Sequence, residues 1–423
     1  MNGKRKTENG KLYSAFLDST GVTTDSRKIE VGALFFALHG ASFDGNDYAV
    51  QALEQGASAA VIDREEILNN NPQYAERLLL VEDTLQALQA LAQEHRRHLA
   101  IPIIAIAGSN GKTTTKELVS RVLAEKFEVS TTKGNLNNHI GVPLTLLSMS
   151  AETEFGVVEM GASAQGEIAL LCSISEPNYG ILTNIGLSHL EGFGGLEGIR
   201  KGKGELFDFL NKNGGRAFVP QEDKVLCEMA AAREDLAVEY YSRSIGEGFR
   251  SNLTGDYNRY NIAAAVEVGR YFGVADERIA EAIISFTPDN NRSQAVKTER
   301  NSLVVDCYNA NPSSMEVALD NIATMEAEHK VLILGDMLEL GKWSEEAHRT
   351  ILRKADTIAE RIILVGGEFA KAYNASEELQ ADYALYPTTA EAVAALENNP
   401  ISDSLILLKG SRGIALEKLI KIL

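Results

Sequence analysis

The chain has 423 residues, which is too long for a single compact core and predicts roughly two to four domains. Its formal net charge at pH 7 is −18, from 41 basic and 59 acidic residues. This excess of acid argues against a general nucleic-acid binder, because phosphate contacts need clustered Lys and Arg, but it leaves room for a small anionic ligand.

The cysteine content and the start of the chain indicate a cellular compartment. Three cysteines without metal-ligand spacing, Cys172, Cys227 and Cys307, are typical of a reducing compartment. No apolar run reaches the ~18 residues of a membrane span, and the basic, polar N-terminus is unlike a signal peptide. We interpret the chain as cytoplasmic, with small-molecule partners and no membrane span.

Short apolar runs and one amphipathic segment predict a small α/β unit at the start of the chain. Three runs are predicted to be buried strands, at residues 33–38, 58–62 and 78–81. The segment 84–98 is predicted to be a helix because four apolar residues fall on one face, namely Leu85, Leu88, Leu91 and Ala92. We assign residues 1–100 to this first domain.

A second unit begins with the apolar run IPIIAIAG after Ala100, which predicts a strand. A glycine-bearing loop and a helix over 112–126 follow it. Two further strands and an alanine-rich helix are predicted at 155–159, 179–183 and 257–271. We assign residues 101–296 to this second domain.

The last part of the chain alternates strand and helix regularly. Strands are predicted at 302–306, 330–334, 361–365 and 404–408, and helices at 313–326, 344–359, 388–397 and 413–422. This alternation predicts a mainly parallel sheet with helices on both faces. We assign residues 297–423 to a third domain and predict an α/β fold for the whole chain.

The segment that follows the first strand of the second unit and opens its first helix has the composition of a phosphate-binding loop. It consists of Gly108, Ser109, Asn110, Gly111, Lys112, Thr113 and Thr114. Glycines let backbone N–H groups approach phosphate oxygens, the lysine reaches the terminal phosphates, and the first threonine can join a Mg²⁺ shell. The usual pattern has glycine where this chain has Ile106, and a ligand-free turn is the alternative interpretation.

Other polar residues follow predicted strands of the second unit. Glu159 ends the strand FGVVE and is well placed for Mg²⁺, although an ordinary strand-end acid is the alternative. His189 also follows a strand, but a lone histidine is more often structural and is an unusual Mg²⁺ ligand. Two lysines and a Gly-flanked loop are compatible with either ligand binding or plain solvated surface: Lys201, Lys203, Asn135, Asn137 and Asn138.

A family resemblance connects these segments. In order along the chain they are GSNGKTTTKE, KGNLNNHIGVP, VVEMGA, SHLEGFG, KGKGELF, GDYNRYN, DCYNANPSSM, GDMLELG and LLKGSRG. Together with an N-terminal DSR…DG pattern they resemble the Mur ligase family from about residue 22 to residue 413. The DSR…DG, YNANPSSM and GDMLELG patterns are most similar to the member that adds D-alanyl-D-alanine to UDP-MurNAc-tripeptide.

The resemblance implies three domains: a UDP-substrate domain, a central P-loop ATPase with a mainly parallel sheet, and a C-terminal Rossmann-like domain. It implies a monomeric ATP-dependent ligase whose substrates are UDP-MurNAc-tripeptide and D-Ala-D-Ala. The reaction is expected to pass through an acyl phosphate and to serve peptidoglycan synthesis. Because the three binding sites lie on different domains, domain closure is expected to bring them together.

The resemblance also implies roles for individual residues. Lys112 and Thr113 are expected to hold the ATP phosphates and one Mg²⁺, and Glu159 and His189 to serve a second Mg²⁺. Lys203 matches a lysine that the family carbamylates, which converts a cation into an anion suited to a metal site. Lys112, Lys203 and His189 are therefore the predicted catalytic residues.

Further positions match nucleotide and substrate contacts of the family. Asn258, Arg292 and Asp306 are expected to bind the nucleotide. The predicted substrate contacts are Asp25, Ser26 and Arg27 for the UDP group, Asn137 and Asn138 in the central domain, and Asn309 and Asn311 for the dipeptide. Lys409, Ser411 and Arg412 match the dipeptide region more weakly.

Three departures from the family pattern stand out. Tyr257 replaces a common histidine, and Val305 replaces the first of two aspartates, although Asp306 remains. The stretch 220–256 is shorter than usual and predicts a reduced β excursion. The remaining alternatives are a sibling ligase or folylpolyglutamate synthase, a regulatory P-loop NTPase, and a paralogue that binds without ligating.

Overall fold

The computed structural model describes residues 2–288 and 291–423. The first domain contains a four-stranded parallel sheet in the order β1-β2-β3-β4. Its strands are β1 (Val22–Thr23), β2 (Leu34–Phe36), β3 (Ala59–Ile62) and β4 (Leu78–Leu80). Its helices are α1 (Asn2–Leu17), α2 (Ala49–Glu54), α3 (Glu65–Asn70) and α4 (Thr84–Leu99). Strands β2 and β3 are fully buried, as is typical of parallel sheets covered on both faces.

The central domain contains a six-stranded, entirely parallel sheet in the order β10-β9-β8-β5-β7-β6. The strands are β5 (Ile103–Ala107), β6 (Val129–Thr131), β7 (Phe155–Glu159), β8 (Tyr179–Leu182), β9 (Arg216–Pro220) and β10 (Ala237–Tyr241). The helices are α5 (Lys112–Ala124), α6 (Gly141–Leu147), α7 (Glu167–Ser175), α8 (Leu190–Phe193), α9 (Leu196–Asn213), α10 (Lys224–Ala231), α11 (Asn258–Tyr271) and α12 (Asp276–Ser285). Because β5 lies between β7 and β8, the segments that follow these three strands meet at one edge of the sheet.

The C-terminal domain contains a six-stranded sheet in the order β11-β12-β16-β13-β14-β15, in which only β11 is antiparallel to its neighbour. The strands are β11 (Gln294–Lys297), β12 (Ser302–Asp306), β13 (Lys330–Gly335), β14 (Arg361–Val365), β15 (Asp382–Tyr386) and β16 (Leu405–Lys409). The helices are α13 (Pro312–Thr324), α14 (Ser344–Asp356), α15 (Gly367–Asn374) and α16 (Thr389–Asn398). The predicted three-domain α/β fold is confirmed.

One predicted helix is wrong. The segment 413–422 forms two short 3₁₀ helices, Arg412–Ile414 and Leu416–Leu419, instead of one α-helix. Ala415 between them has φ 60°, a left-handed conformation that an α-helix cannot contain. The short stretch 220–256 contains a single strand, β10, and the helix α10.

The predicted domain boundaries stay predictions, but the strand pairing bears on one of them. The boundary between residues 296 and 297 falls inside β11 (Gln294–Lys297), and β11 pairs with β12 of the third sheet. That sheet therefore begins before the predicted boundary. In the part of the chain that the structure describes, no helix has the length and apolar character needed to cross a membrane.

Helix α4 joins the first domain to the central domain. Arg96, buried in this helix, donates from Nε to the carbonyl oxygen of Ser175 at 2.9 Å. Its Nη2 donates to the carbonyl oxygen of Glu176 at 3.0 Å and to Oδ1 of Asn178 at 2.9 Å. The guanidinium of Arg96 thus donates to carbonyl groups at the end of α7. These carbonyl groups have no hydrogen-bond donor within α7 itself.

Candidate active site

The loop between β5 and α5 requires both of its glycines. Gly108 and Gly111 have φ values of 135° and 79°. A Cβ atom on Gly108 would lie 2.0 Å from Oγ1 of Thr183, and one on Gly111 would lie 2.8 Å from Oδ1 of Asn261. The loop leads into α5 at Lys112, whose first-turn N–H groups have no partner within the helix and form an anion-binding site.

The segment after β8 holds the phosphate loop in place. Asn184 accepts from the backbone N–H of Asn110 at 3.1 Å and donates back to the carbonyl oxygen of Asn110 at 3.0 Å. The Thr183 hydroxyl donates to the same carbonyl at 2.6 Å, and the Ser109 hydroxyl donates to the carbonyl of Gly186 at 2.8 Å. The loop is therefore preorganised by Thr183 and Asn184, which were not among the predicted site residues, together with the predicted Ser109.

Lys112 folds back over this loop. Its Nζ donates to the carbonyl oxygens of Gly108 at 2.9 Å and of Ser109 at 3.0 Å. Burial lowers the pKa of Lys112 to about 8, with Glu159 opposing the shift and Arg292 adding to it. These two carbonyls are neutral partners, so the lysine is available to an incoming phosphate.

Glu159 at the end of β7 is buried beside the phosphate loop. Its Oε2 accepts from the Thr113 hydroxyl at 2.8 Å, and its Oε1 accepts from Nδ2 of Asn137 at 2.7 Å. Among the residues that the structure describes, no three or more His, Cys, Asp or Glu side chains are grouped so that they could hold a metal ion. One carboxylate and one hydroxyl nevertheless fit Mg²⁺, which often keeps waters and substrate phosphates as its other ligands.

Lys203 lies in the middle of α9, and its side chain is only 1% exposed. Its Nζ donates to the carbonyl oxygen of Ala162 at 3.1 Å and lies 5.0 Å from the centre of the Phe193 ring. Burial lowers the pKa of Lys203 well below its usual range, and nearby Lys112 lowers it further. An ammonium here would oppose a second Mg²⁺, whereas a carbamate would supply two oxygen ligands.

His189 lies between β8 and α8, in a left-handed conformation with φ 51° that is uncommon for residues other than glycine. Its Nδ1 is in contact with the carboxylate of Glu339, which belongs to the C-terminal domain. Burial lowers the pKa of His189, while Glu339 opposes the shift and Lys203 and Lys112 add to it. The predictions did not include Glu339, although it lies in the GDMLELG segment that carried part of the family resemblance.

A cleft of about 1230 Å³ separates the central and C-terminal domains. Most of the predicted cofactor and substrate residues of these two domains line it: Ser109, Asn110, Gly111, Lys112, Thr114, Asn137, Asn138, Glu159, His189, Arg292, Asp306, Asn309 and Asn311. Thr113 and Lys203 are buried behind this surface. The structure therefore brings these predicted residues together, and their individual roles stay predictions.

Residues of the C-terminal domain form the far side of the cleft. Asp306 is paired with the buried Lys409, whose Nζ lies 2.6 Å from Oδ2 of Asp306. The Arg292 guanidinium stacks 3.8 Å from the centre of the Tyr308 ring, with Arg412 5.0 Å from the same ring. An ion pair between Asp306 and the buried Lys409 and an aromatic–guanidinium stack thus lie opposite the phosphate loop.

Asn311 combines two contacts at this interface. Its Oδ1 accepts from the backbone N–H of Ser314 at 2.9 Å and caps α13. Its Nδ2 donates to Oδ1 of Asn110 in the phosphate loop at 2.8 Å. Nearby, the backbone N–H of Leu187 donates to the Ser313 hydroxyl at 2.9 Å. The start of α13 is therefore docked directly against the phosphate loop.

Two of the asparagines that were predicted to contact nucleotide or substrate make hydrogen bonds within the protein. Asn258 does not line the cleft; it is buried, donates to the carbonyl of Thr254 at 2.6 Å and accepts from Asn261 at 2.8 Å. Asn261, which sequence reasoning did not select, does line the cleft. Asn138 accepts from the backbone N–H groups of Ile140 and Gly141, where the chain enters α6.

The predicted UDP-binding residues lie outside this cleft, on a loop of the first domain after β1. Arg27 makes a two-pronged contact with Asp25, from Nε to Oδ1 at 2.8 Å and from Nη2 to Oδ2 at 2.9 Å. Hydrogen bonds from Arg27 lower the pKa of Asp25 to about 2. Asp25 thus orients the arginine, while Ser26 and Arg27 remain accessible on the surface.

Models of the Mur ligase family match three parts of the chain. The model described as the catalytic domain matches residues 18–96, the middle domain matches 106–248, and the glutamate ligase domain matches 291–412. Each of these three matches falls on one of the three sheets described above.

Curated relatives and solved structures are similar over nearly the whole chain. The UDP-N-acetylmuramoyl-tripeptide--D-alanyl-D-alanine ligase of Bacillus subtilis is 36% identical over 95% of this chain and 92% of its own. The ligase of the same name from Escherichia coli is 33% identical over 98% and 96% of the two chains. A crystal structure of MurF from Acinetobacter baumannii superposes with a TM-score of 0.83 at 30% identity, covering 95% of this chain and 92% of that one.

A more distant structure supports the fold alone. MurF ligase from Thermotoga maritima, in complex with ADP, has a TM-score of 0.81 at 24% identity and covers 96% of this chain and 97% of that one. Three family models, near-complete relatives above 30% identity and a shared architecture lead to the same result. The chain belongs to the Mur ligase family.

Proposed function

We propose that this chain is an ATP-dependent amide-bond ligase that adds D-alanyl-D-alanine to UDP-MurNAc-tripeptide. The products are UDP-MurNAc-pentapeptide, ADP and phosphate, and the reaction serves peptidoglycan synthesis. The relatives from B. subtilis and E. coli carry this activity in their names and align over nearly the full length. We further propose a cytoplasmic monomer with no nucleic-acid partner.

The observation that carries the proposal is the docking of the C-terminal domain on the phosphate loop. Asn110 of the loop is hydrogen-bonded to Asn311 at the start of α13, and the cleft between them is large enough for several ligands. A plain NTPase needs its phosphate loop and a water, not a second domain that faces the phosphates. A ligase needs this arrangement because two substrates must meet beside the γ-phosphate.

The reaction must activate a carboxylate, which is a poor electrophile. We propose that the tripeptide carboxylate oxygen attacks the γ-phosphorus of ATP, breaks the bond to the β–γ bridging oxygen, and yields an acyl phosphate and ADP. The amine of D-Ala-D-Ala then attacks the acyl carbon and forms a tetrahedral intermediate. Collapse of that intermediate expels phosphate and leaves the amide, after the amine has lost its proton.

The protein contributes chiefly by positioning and by neutralising charge. Lys112 reaches the β- and γ-phosphates, and the loop N–H groups cradle the remaining phosphate oxygens. Arg292, which lines the same cleft as Lys112, adds a second positive charge. Asp306 is assigned to the ribose, and Asn309 and Asn311 to the incoming dipeptide.

Mg²⁺ bound at this site supplies positive charge to the phosphate oxygens. Thr113 and Glu159 are proposed to hold one ion, because their oxygen atoms already lie side by side. A second ion is assigned to Glu159, His189 and a carbamylated Lys203. The carbamate is supported by burial and by the lowered pKa of Lys203, since only a neutral amine reacts with CO₂.

An oxygen-transfer experiment tests the proposed chemistry. UDP-MurNAc-tripeptide labelled with ¹⁸O in its terminal carboxylate is incubated with ATP, Mg²⁺ and D-Ala-D-Ala. One ¹⁸O atom is expected to appear in the released phosphate, and the pentapeptide to retain the other, as measured by mass spectrometry. Unlabelled phosphate would contradict the acyl-phosphate route, because hydrolysis draws its oxygen from water.

A further inference from the structure

His189 is held from both sides by the C-terminal domain. The backbone N–H of Leu187 donates to the Ser313 hydroxyl at 2.9 Å, and that of Glu191 donates to the carbonyl of Glu339 at 3.4 Å. Between these two contacts His189 adopts its left-handed conformation with φ 51°. Such a conformation is unfavourable for a histidine and persists only where the surroundings impose it.

The loop that carries Glu339 is held in place by hydrogen bonds from its backbone to neighbouring side chains. It connects β13 to α14, and the backbone N–H of Met337 donates to Nε2 of His348 at 3.0 Å. The backbone N–H of Leu338 donates to the Ser411 hydroxyl at 2.9 Å. Glu339 has φ 63°, and a Cβ atom on Gly341 would lie 3.2 Å from the side chain of Glu191. The loop thus presents its carboxylate to His189 at close range.

The contact with Glu339 determines which ring nitrogen of His189 carries a proton. A neutral imidazole has one N–H, and a carboxylate at Nδ1 places that proton on Nδ1. Nε2 then keeps its lone pair for another partner. Carboxylates orient metal-binding histidines in this manner.

We propose that Glu339 is a positioning residue, contributed by the C-terminal domain, that fixes the Nδ1–H tautomer of His189 and keeps Nε2 free for a ligand in the cleft. Since the two residues belong to different domains, this control exists only while the domains are docked. Domain closure therefore also sets the tautomer of His189 in the central domain. The assignment of the tautomer is independent of the proposed function. Only the identity of the ligand that Nε2 binds rests on that function.

Nitrogen NMR of the ligand-free protein tests the tautomer directly. In ¹⁵N-histidine-labelled protein, at a pH where the ring is neutral, the His189 signal is identified by its loss in His189→Gln. It is expected to report Nδ1–H in the wild type and Nε2–H, the form that an isolated side chain prefers, in Glu339→Ala. The matched control Glu326→Ala, an exposed glutamate of the same domain outside the cleft, is expected to leave the signal unchanged. An unchanged tautomer in Glu339→Ala would overturn the proposal.

A double-mutant cycle tests whether Glu339 acts through His189. Glu339→Ala is expected to lower kcat about 10- to 100-fold, the range for partners of metal-binding histidines. Glu339→Gln, whose amide oxygen can accept the same bond, is expected to keep most of the activity. In a His189→Gln background, Glu339→Ala should cause no further loss. An equal loss in both backgrounds would contradict the proposal, provided that melting temperatures show the variants to be folded.

These readouts separate the inference from the proposed function. If the wild-type chain forms no pentapeptide, the ligase assignment fails, yet the NMR signal still reports the tautomer. If the wild type ligates and Glu339→Ala leaves both the tautomer and kcat unchanged, the ligase assignment stands and the positioning role of Glu339 is wrong. Glu339→Asp, one methylene shorter, serves as the second variant should the alanine variant not fold.

Discussion

Lys112 and Arg292 line the cleft together with the buried carboxylate of Glu159, and the buried Lys203 lies behind this surface. Burial is the main cause of the lowered pKa values of both lysines. Arg292 lowers the pKa of Lys112 further, and Lys112 lowers that of Lys203, while nearby carboxylates oppose both shifts. A polyphosphate entering the cleft supplies the missing negative charge. At the scale of single residues, the site is therefore preorganised for an anion rather than for a neutral substrate.

Lys112 is the first residue to test. Lys112→Ala removes the cation closest to the phosphate loop, and we expect turnover to fall about a hundredfold or more, which corresponds to roughly 3 kcal/mol of transition-state stabilisation. Steady-state assays of phosphate release measure the loss. Thermal melting of the ligand-free variant should change little, because Nζ of Lys112 contacts only loop carbonyls. Near-normal turnover would exclude Lys112 from the phosphate site.

Lys203 offers a test of the carbamate. Lys203→Ala is expected to lower turnover severely, and added short-chain carboxylates should restore part of it by occupying the vacated space. The control Lys201→Ala, two residues earlier on the exposed side of α9, should retain activity. High activity in Lys203→Ala without added carboxylate would defeat the assignment.

The carbamate also predicts a dependence on pH and CO₂. A lowered pKa means that the neutral, reactive amine of Lys203 is more abundant at a given pH than for an ordinary lysine. Wild-type protein freed of CO₂ should therefore lose activity and regain it on adding bicarbonate. At a fixed concentration of dissolved CO₂, the rate of recovery should rise with pH until the amine is fully neutral. Lys203→Ala should not respond to bicarbonate.

At the scale of elements, α13 serves both stability and function. Asn311 caps this helix through Oδ1 and contacts Asn110 through Nδ2. Asn311→Ala removes both contacts and should lower the free energy of unfolding by about 1 kcal/mol, the usual value of a cap. Asn311→Asp keeps the cap and should stay within about 0.5 kcal/mol of wild type, as measured by denaturant unfolding.

Turnover should nevertheless fall in both Asn311 variants, because each loses the donor to the phosphate loop. Aspartate also places a negative charge near the phosphates. Full activity in Asn311→Asp would mean that docking of α13 does not depend on the Asn110 contact.

Local pattern predicted the elements that carry the phosphate site. The run IPIIAIAG, the glycine loop and Lys112–Thr113 form a contiguous signal, and Glu159 ends a wholly apolar strand. The helix predicted at 413–422 was wrong because Ala415 adopts a left-handed conformation that composition does not reveal. The roles of His189 and Lys203 were suggested by the family resemblance rather than by spacing.

Contacts between distant segments could not be predicted from the sequence. Glu339 and His189 are 150 positions apart, and neither has a local pattern that points to the other. Asn184, which holds the phosphate loop, lies in a segment that contributed no motif. Asn261, which lines the cleft, lies in the GDYNRYN segment, but the sequence analysis selected Asn258 of that segment instead. Only the packing of the three sheets brings these side chains together.

At the scale of the whole molecule, Arg96 couples the first domain to the sheet that carries the phosphate loop. Asn178, which accepts from Arg96, also accepts from the backbone N–H of Ile103 at the start of β5. Arg96→Met would leave the buried carbonyl oxygen of Ser175 and two partly buried oxygens without this donor. It should lower the free energy of unfolding by about 2 kcal/mol. The KM for UDP-MurNAc-tripeptide should rise more than kcat falls, since the chemistry lies in the other two domains.

Arg97 is the matched control for Arg96. It lies next in α4 and pairs with Glu176, but its side chain is 60% exposed. Exposed ion pairs contribute little, so Arg97→Met should change the free energy of unfolding by less than about 1 kcal/mol. Equal effects of the two substitutions would argue against Arg96 as the main link between these domains.

The most direct test of the ligase assignment is phosphate release from ATP, measured with UDP-MurNAc-tripeptide alone, D-Ala-D-Ala alone, and both together. We expect sustained release only with both substrates, accompanied by UDP-MurNAc-pentapeptide in the mass spectrum. Release that is indifferent to D-Ala-D-Ala would contradict the assignment and would indicate an NTPase or a ligase with a different acceptor.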